Sequence, residues 1–313
     1  MMPNSKPDSN LDTHIETQNS TDRLNIKPKP CRTALYMPGS NERALEKAKN
    51  LAADSVIFDL EDAVAPEMKQ AARTQVCAAL ATGGYGQRLL VVRVNDLETQ
   101  WGMDDVLALA PHQPDAILLP KVNAADDVLK LARHLPQGVA IWAMIETPQA
   151  VLKLPEIAAT AQQVPLKALV FGSNDLVKDM RAQFQPDRAP LAFAMSQLVL
   201  AARAYDLLAL DGVFNDIEDE KGLQNECAQG AAFGFDGKTL IHPRQLETAN
   251  RAFAPSPNDI AEAKAIIAAF EQAENAGAAV LKVNGKMTEI LHYHRALQLI
   301  ALANQIAEGQ KMD

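Results

Sequence analysis

The chain has 313 residues, 48% of them hydrophobic and 22% charged, with a formal net charge of −9. That length exceeds a single core of roughly 100–200 residues but suits one α/β barrel of about 250 residues with a smaller appendage. The acidic balance and the lack of a basic run exclude non-specific nucleic-acid binding, which rests on phosphate neutralisation, and no apolar run approaches the roughly 18 residues that a membrane span needs.

Residues 1–30 are polar, end in Lys-Pro-Lys-Pro and lack the apolar centre of a secretory signal, so the sequence predicts a disordered leader. Cys31, Cys77 and Cys227 are odd in number and widely spaced. They read as reduced thiols rather than a disulfide framework or a zinc site, which fits a cytoplasmic protein.

From Arg32 onward, short apolar runs alternate with helical stretches. The predicted strands are Thr33–Met37, Ser55–Leu60, Leu89–Val94, Ala116–Leu119, Ala140–Ile145, Ala168–Phe171, Leu208–Val213 and Lys238–Ile241. Between them lie Ala-, Leu-, Glu- and Lys-rich stretches such as Asn41–Leu51, Ala124–His134 and Pro190–Tyr205. Eight strands each followed by a helix predict a TIM barrel over residues 31–254. The alternative is a doubly wound open sheet, but the first strand–helix turn, Tyr36-Met-Pro-Gly-Ser-Asn-Glu, lacks a dinucleotide glycine pattern. After Phe253 the pattern changes. Ser256 or Asn258 is placed to cap a helix over Asp259–Ala276, and a final helix is expected over Glu289–Glu308. With a short extended Ala279–Val283 and a turn at Asn284-Gly285-Lys286 between them, residues 255–313 read as a helical appendage without strand pairs.

In a parallel barrel, sites form where the strands end. Glu146 and Asp175 follow successive strands, and two hard oxygen ligands so placed suit a divalent cation such as Mg2+. Equally, each is a carboxylate favoured at a helix N-terminus. The same rim receives Glu61 and Asp62 after the second strand, Arg93 and Asn95 at the third, Lys121 after the fourth, Asn215, Asp216 and Asp219 after the seventh, and His242 after the eighth. Carboxylates brought this close repel unless they are protonated or neutralised. Arg93 is suited either to grip a substrate carboxylate with its planar fork or to pair internally with Glu61 or Asp62. Arg43 and Lys47 share a helix face which, with Arg32, could meet a polyanion, or is simply a solvated face. His292 and His294 point to different sides of a helix and do not form a metal pair.

The motifs Arg32-Thr-Ala-Leu-Tyr-Met-Pro-Gly, Ile57-Phe-Asp-Leu-Glu-Asp-Ala-Val with Lys69 and Arg73 after it, Val92-Arg-Val-Asn, Leu118-Leu-Pro-Lys, Ile145-Glu-Thr, Phe171-Gly-Ser-Asn-Asp-Leu, Asp211-Gly-Val-Phe, Gly234-Phe-Asp-Gly-Lys, Ile241-His-Pro and Phe253-Ala-Pro-Ser-Pro resemble the citrate lyase β-subunit-like CoA-ester lyases of the HpcH/HpaI aldolase superfamily. The resemblance runs from Arg32 to the C-terminus. It implies a TIM barrel with a C-terminal helical segment, a homotrimer or hexamer in which that segment closes a neighbour's site, and Mg2+-dependent carbon–carbon cleavage of a malyl-CoA- or citramalyl-CoA-type thioester into acetyl-CoA and a 2-oxo acid. Within the same fold the alternatives are a malyl-CoA thioesterase, or a citryl-thioester lyase subunit acting with an acyl carrier protein.

The resemblance further implies Glu146 and Asp175 as metal ligands, Glu61 and Asp62 beside them, Arg93 on the oxo-acid carboxylate, and Tyr36, Arg43 and Lys47 on the CoA part. The family's acid/base Asp, in Gly-x-Met-Ile-Asp, corresponds here to Glu289 in Gly285-Lys-Met-Thr-Glu, one methylene longer.

Overall fold

The computed structural model describes residues 29–272, 275 and 277–312. Residues 1–28 of the predicted leader, and part of the last turn of the helix expected up to Ala276, lie outside the described residues. Eight parallel strands close into a barrel: β1 Thr33–Pro38, β2 Ser55–Asp59, β3 Leu89–Arg93, β4 Ala116–Leu119, β5 Ala140–Ile145, β6 Leu166–Phe171, β7 Leu208–Asp211 and β8 Gly237–Leu240. Each strand pairs with the next, and β8 returns to β1 through Thr33–Lys238 and Leu35–Leu240. The fold is therefore the TIM barrel that the alternation of strand and helix predicts.

Period-two alternation sorts the strand residues into two cores. Ala34, Ile57, Val91, Leu118, Trp142, Val170 and Leu210 fill the barrel interior. Leu35, Phe58, Val92, Ile117, Ile141 and Leu169, their neighbours in sequence, face outward and pack under the helices. Both faces of every strand are thus covered, which is why the strands read as near-continuous apolar runs.

A polar cluster interrupts the outer core beside β7 and β8. Asp211 and Lys238 are paired in register and both are fully buried. Arg188 Nη1 donates to both Asp211 oxygens at 2.7 and 2.9 Å, and Lys238 Nζ reaches Glu226 Oε1 at 2.6 Å and the Gly212 carbonyl. This network ties the carboxyl end of β7 and the start of β8 to the helix Glu220–Phe233.

The tail departs from the expected helical appendage without strand pairs. Ser256 caps the helix Pro257–Phe270 through a reciprocal pair with Asp259, whose backbone N–H reaches Ser256 Oγ at 3.1 Å. Then β9 Val280–Val283 and β10 Lys286–Glu289 form an antiparallel hairpin before the helix Ile290–Met312. Asn284 and Gly285 adopt φ of 50° and 80°, the paired left-handed conformation that a two-residue hairpin turn demands. That turn chemistry, rather than strand propensity, creates the pairing. The two tail helices pack on each other, the first of them also on β9 and the second on β10.

Removing one partner from the buried cluster leaves uncompensated charge. Asp211→Ala should therefore lower the unfolding free energy by about 3–5 kcal/mol, read from urea titrations. A change below about 1 kcal/mol would show that the cluster contributes little.

Candidate active site

The carboxyl rim of the barrel is built around a guanidinium. Asp59 and Arg93 end adjacent strands, are paired in register and project inward. Arg93 Nε and Nη2 donate to the two oxygens of Asp59 at 2.7 and 2.6 Å, a bidentate pair. Asp59 also accepts the backbone N–H groups of Glu61 at 2.9 Å and Ala63 at 3.1 Å. The loop after β2 is therefore wrapped on the same carboxylate that pins Arg93. Lys69 fixes it from beneath, donating to the Leu60 and Glu61 carbonyls at 2.8 and 2.7 Å, and Asn95 donates to the Leu60 carbonyl at 2.9 Å.

With its Nε–Nη2 edge held by Asp59, Arg93 turns Nη1 toward the rim, where Glu61 Oε2 lies at 2.8 Å and Asp62 Oδ2 at 3.5 Å. Arg93 and Glu61 are buried, whereas Asp62 is exposed. The internal ion pairing weighed for Arg93 is thus present, with Asp59 as its main partner. Tyr36 lies inside the barrel with the Arg93 guanidinium 4.8 Å from its ring centre. Burial pushes its phenol well above the usual range, and its buried hydroxyl has no hydrogen-bond partner among the described residues.

Burial also pushes the Glu61 carboxyl up to about 7; Arg93 opposes the shift, while Asp62 and Glu146 add to it. Glu61 consequently titrates near neutrality, the range in which a carboxyl both holds and gives up a proton.

On the opposite side of the rim, Glu146 and Asp175 converge on a single cation, the Lys121 ammonium. Its Nζ is 3.4 Å from Glu146 Oε1 and in direct contact with Asp175 Oδ2, while the Lys121 backbone N–H donates to Glu146 Oε1 at 2.7 Å. Glu146 follows β5 and is buried; Asp175 lies in the short helix Ser173–Asp179 after β6. Gly172 permits their approach, since a Cβ there would stand 2.8 Å from Glu146 Oε2. Ser173, beside it, buries a hydroxyl without a partner among the described residues.

Two carboxylates that meet at one positive charge fit a divalent cation. Among the described residues no three His, Cys, Asp or Glu side chains are grouped to hold a metal by themselves. A cation at Glu146 and Asp175 would therefore complete its shell with water and substrate oxygens, as Mg2+ characteristically does.

The remaining expected residues are dispersed. Arg43 and Lys47 lie exposed on the helix Glu42–Ala48 that follows β1. Arg32 does not join them: it precedes β1, at the other end of the barrel, and is held by Asp54 at 2.8 and 2.7 Å. Glu289 ends β10 in the tail, exposed, and makes no hydrogen bond or ion pair with a barrel residue among the described residues. His242 has a structural task, its Nδ1 accepting the Arg244 N–H at 3.2 Å to cap the turn Pro243–Gln245. Asn215 pairs with Asn174 at 2.8 and 3.1 Å, and Asp219 caps the helix Glu220–Phe233.

A closed parallel barrel with a guanidinium and converging carboxylates on its carboxyl rim has the active-face organisation of TIM-barrel enzymes. Residues 32–243 match the model of the HpcH/HpaI aldolase/citrate lyase family, and the chain belongs to that family. It is 50% identical over 278 residues to a (3S)-malyl-CoA thioesterase of Cereibacter sphaeroides, covering 89% of this chain and 96% of that one. To a citrate lyase subunit beta of Leuconostoc mesenteroides subsp. cremoris it is 36% identical, covering 87% of this chain and 93% of that one. The CitE protein of Mycobacterium tuberculosis, solved with magnesium, acetoacetate and coenzyme A, superposes with a TM-score of 0.72 at 30% identity, covering 87% of this chain and 97% of that one.

The raised Glu61 carboxyl has a stability consequence. Its contribution to folding is fully present below the ordinary glutamate range near 4.5 and is lost as pH rises through about 7, because ionisation then costs more in the fold than in the unfolded chain. In metal-free buffer, Glu61→Gln should therefore gain stability relative to the parent between pH 5 and pH 8, by on the order of 2 kcal/mol. A pH-independent difference in thermal unfolding would contradict the buried, proton-holding Glu61.

Proposed function

We propose that this chain is a Mg2+-dependent enzyme acting on a malyl-CoA-type thioester, with hydrolysis to free CoA and the hydroxy acid as its net reaction. The convergence of Glu146 and Asp175 on one cation position carries the metal part of this reading. The thioesterase part is supported by the 50% identity to a (3S)-malyl-CoA thioesterase across nearly the whole of both chains.

In this proposal Glu146 and Asp175 hold the metal, which when bound polarises substrate oxygens and lowers the pKa of bound water. Arg93, pinned by Asp59 along one edge, offers Nη1 to the substrate carboxylate, which replaces Glu61 and Asp62 as its partner. Glu61, titrating near neutrality, is placed to accept or return a proton beside that carboxylate. Tyr36 supplies an unpaired hydroxyl donor and a wall for Arg93. Arg43 and Lys47 present two positive charges to the phosphates of CoA from the exposed helix after β1, and this CoA ester is the proposed partner. A homotrimer or hexamer and a cytoplasmic location complete the proposal.

The second reading is the carbon–carbon lyase that the motif resemblance implies, with acetyl-CoA and a 2-oxo acid as products. The carboxyl of Glu289 at the position of the family's acid/base Asp favours it. In that case the tail of a neighbouring chain delivers Glu289, since within one chain it lies exposed on the hairpin. The third, a subunit acting on a carrier-bound citryl thioester, follows from the 36% identity to a citrate lyase subunit beta.

Incubating the purified chain with malyl-CoA and Mg2+ separates the three. Free CoA with malate is the expected outcome, acetyl-CoA with glyoxylate would make it a lyase, and inertness toward free CoA esters would favour the subunit. Glu146→Ala and Asp175→Ala should each lower turnover by at least about a hundredfold while leaving thermal unfolding cooperative. Full Mg2+-dependent turnover by either variant would remove these two residues from the metal.

A further inference from the structure

The Lys121 ammonium stands where the metal is proposed to bind, and it cannot share that position with a divalent cation. We propose that Lys121 is a built-in counter-ion that holds Glu146 and Asp175 together before the metal arrives and then swings into the adjacent cavity; this rests on the metal-binding part of the function proposed above.

The backbone and the surroundings of Lys121 suit a side chain with two seats. The main chain is pinned: its N–H donates to Glu146 Oε1 at 2.7 Å, its carbonyl accepts from Asn123 Nδ2 at 3.0 Å, and its φ of 52° is left-handed. Only the four-carbon side chain has to move. A cavity of about 260 Å3 opens next to it, lined by Lys121 itself with Asp96, Glu98, Asn123 and Asp127 among others. Its acidic groups are not equally available. Glu98 pairs with Lys130 at 2.5 Å, and Asp127 accepts the Asn123 and Ala124 N–H groups at 2.7 and 2.9 Å. Asp96 uses Oδ1 on the Glu98 N–H at 3.0 Å, while its Oδ2 has no partner among the described residues. The displaced ammonium therefore has both space and a free carboxylate oxygen to receive it.

Two carboxylates facing each other without a cation repel, so the device keeps the empty site in its binding geometry at the cost of competing with the metal. Isothermal titration of Mg2+ into metal-free protein tests this without recourse to activity. Lys121→Met should bind Mg2+ about tenfold tighter than the parent, and without metal it should unfold at a lower temperature. Because removing a charge also favours cation binding in general, a second measurement follows the side chain itself. Acetylation of the parent protein with acetic anhydride, read by mass spectrometry, should increase at Lys121 on Mg2+ saturation.

Unchanged or weaker Mg2+ binding by Lys121→Met overturns the proposal, as does Lys121 labelling that stays constant or falls when Mg2+ binds. Should the variant fail to fold, the labelling of the parent decides alone. A parent protein that binds no Mg2+ defeats the metal reading and this proposal together, whereas tight Mg2+ binding with an immobile Lys121 defeats this proposal only.

Discussion

Charge neutrality at the carboxyl rim is the constraint on which the rest of the site depends. Asp59, Glu61, Glu146 and Asp175 meet there with Arg93 and Lys121. With Asp62 beside Arg93 at 3.5 Å, five carboxylates face two cations, an excess of negative charge that a proton on Glu61 or a bound cation reduces. The arrangement answers this excess in three ways at once. Asp59 spends both oxygens on Arg93 and the loop after β2, Glu61 moves its titration toward neutrality, and Glu146 and Asp175 share a positive charge. Each solution also supplies what the proposed chemistry needs: an oriented guanidinium, a carboxyl that titrates near neutrality and two carboxylates already gathered at one positive charge.

The barrel makes this possible because the strands fix the spacing. Asp59 and Arg93 are register partners, so their contact follows from parallel pairing rather than from loop conformation. Beneath the rim the interior is packed with apolar side chains, and around β7 and β8 the buried Asp211–Arg188–Lys238–Glu226 network holds the carbonyl of Gly212, where a Cβ would stand 2.7 Å from Ser173 Oγ at the start of the Asp175 helix. Low polarity below and rigid strands around the rim strengthen every electrostatic interaction within it.

Much of this was legible in the sequence, for physical reasons. Most of the eight strands stand out because they are short and apolar on both faces, β8 with Lys238 being the exception, and their ends match the structure within about two residues, the usual uncertainty of such boundaries. Glu146, Asp175 and Glu61 could be found because rim residues follow strand ends, and Arg93 because a lone cation stands out in the predicted apolar strand Leu89–Val94. Asp59, its register partner, was missed because it lies inside the predicted strand Ser55–Leu60, ahead of the more conspicuous Glu61-Asp62 pair. A lone acid closing the run Ser-Val-Ile-Phe-Asp was the available signal. The link between Lys121 and the two carboxylates spans 25 and 54 positions, and that between Arg188 and Asp211 spans 23. No local pattern reports such pairings. The tail hairpin had its signal in Asn284-Gly285, but Lys-Met-Thr-Glu is a poor strand by composition, so the turn was read without its ladder. Arg32 was grouped with Arg43 and Lys47 by proximity in sequence, although a strand 6 residues long separates the two ends of the barrel.

The central claim is that Glu146 and Asp175 jointly hold the divalent cation, and the most direct test locates that ion. Crystals grown with Mn2+ in place of Mg2+ should show one strong anomalous peak within about 2.4 Å of an oxygen from each of the two carboxylates. A peak on Asp59, Glu61 or Asp62 instead, or no peak at the rim at saturating Mn2+, would contradict the account.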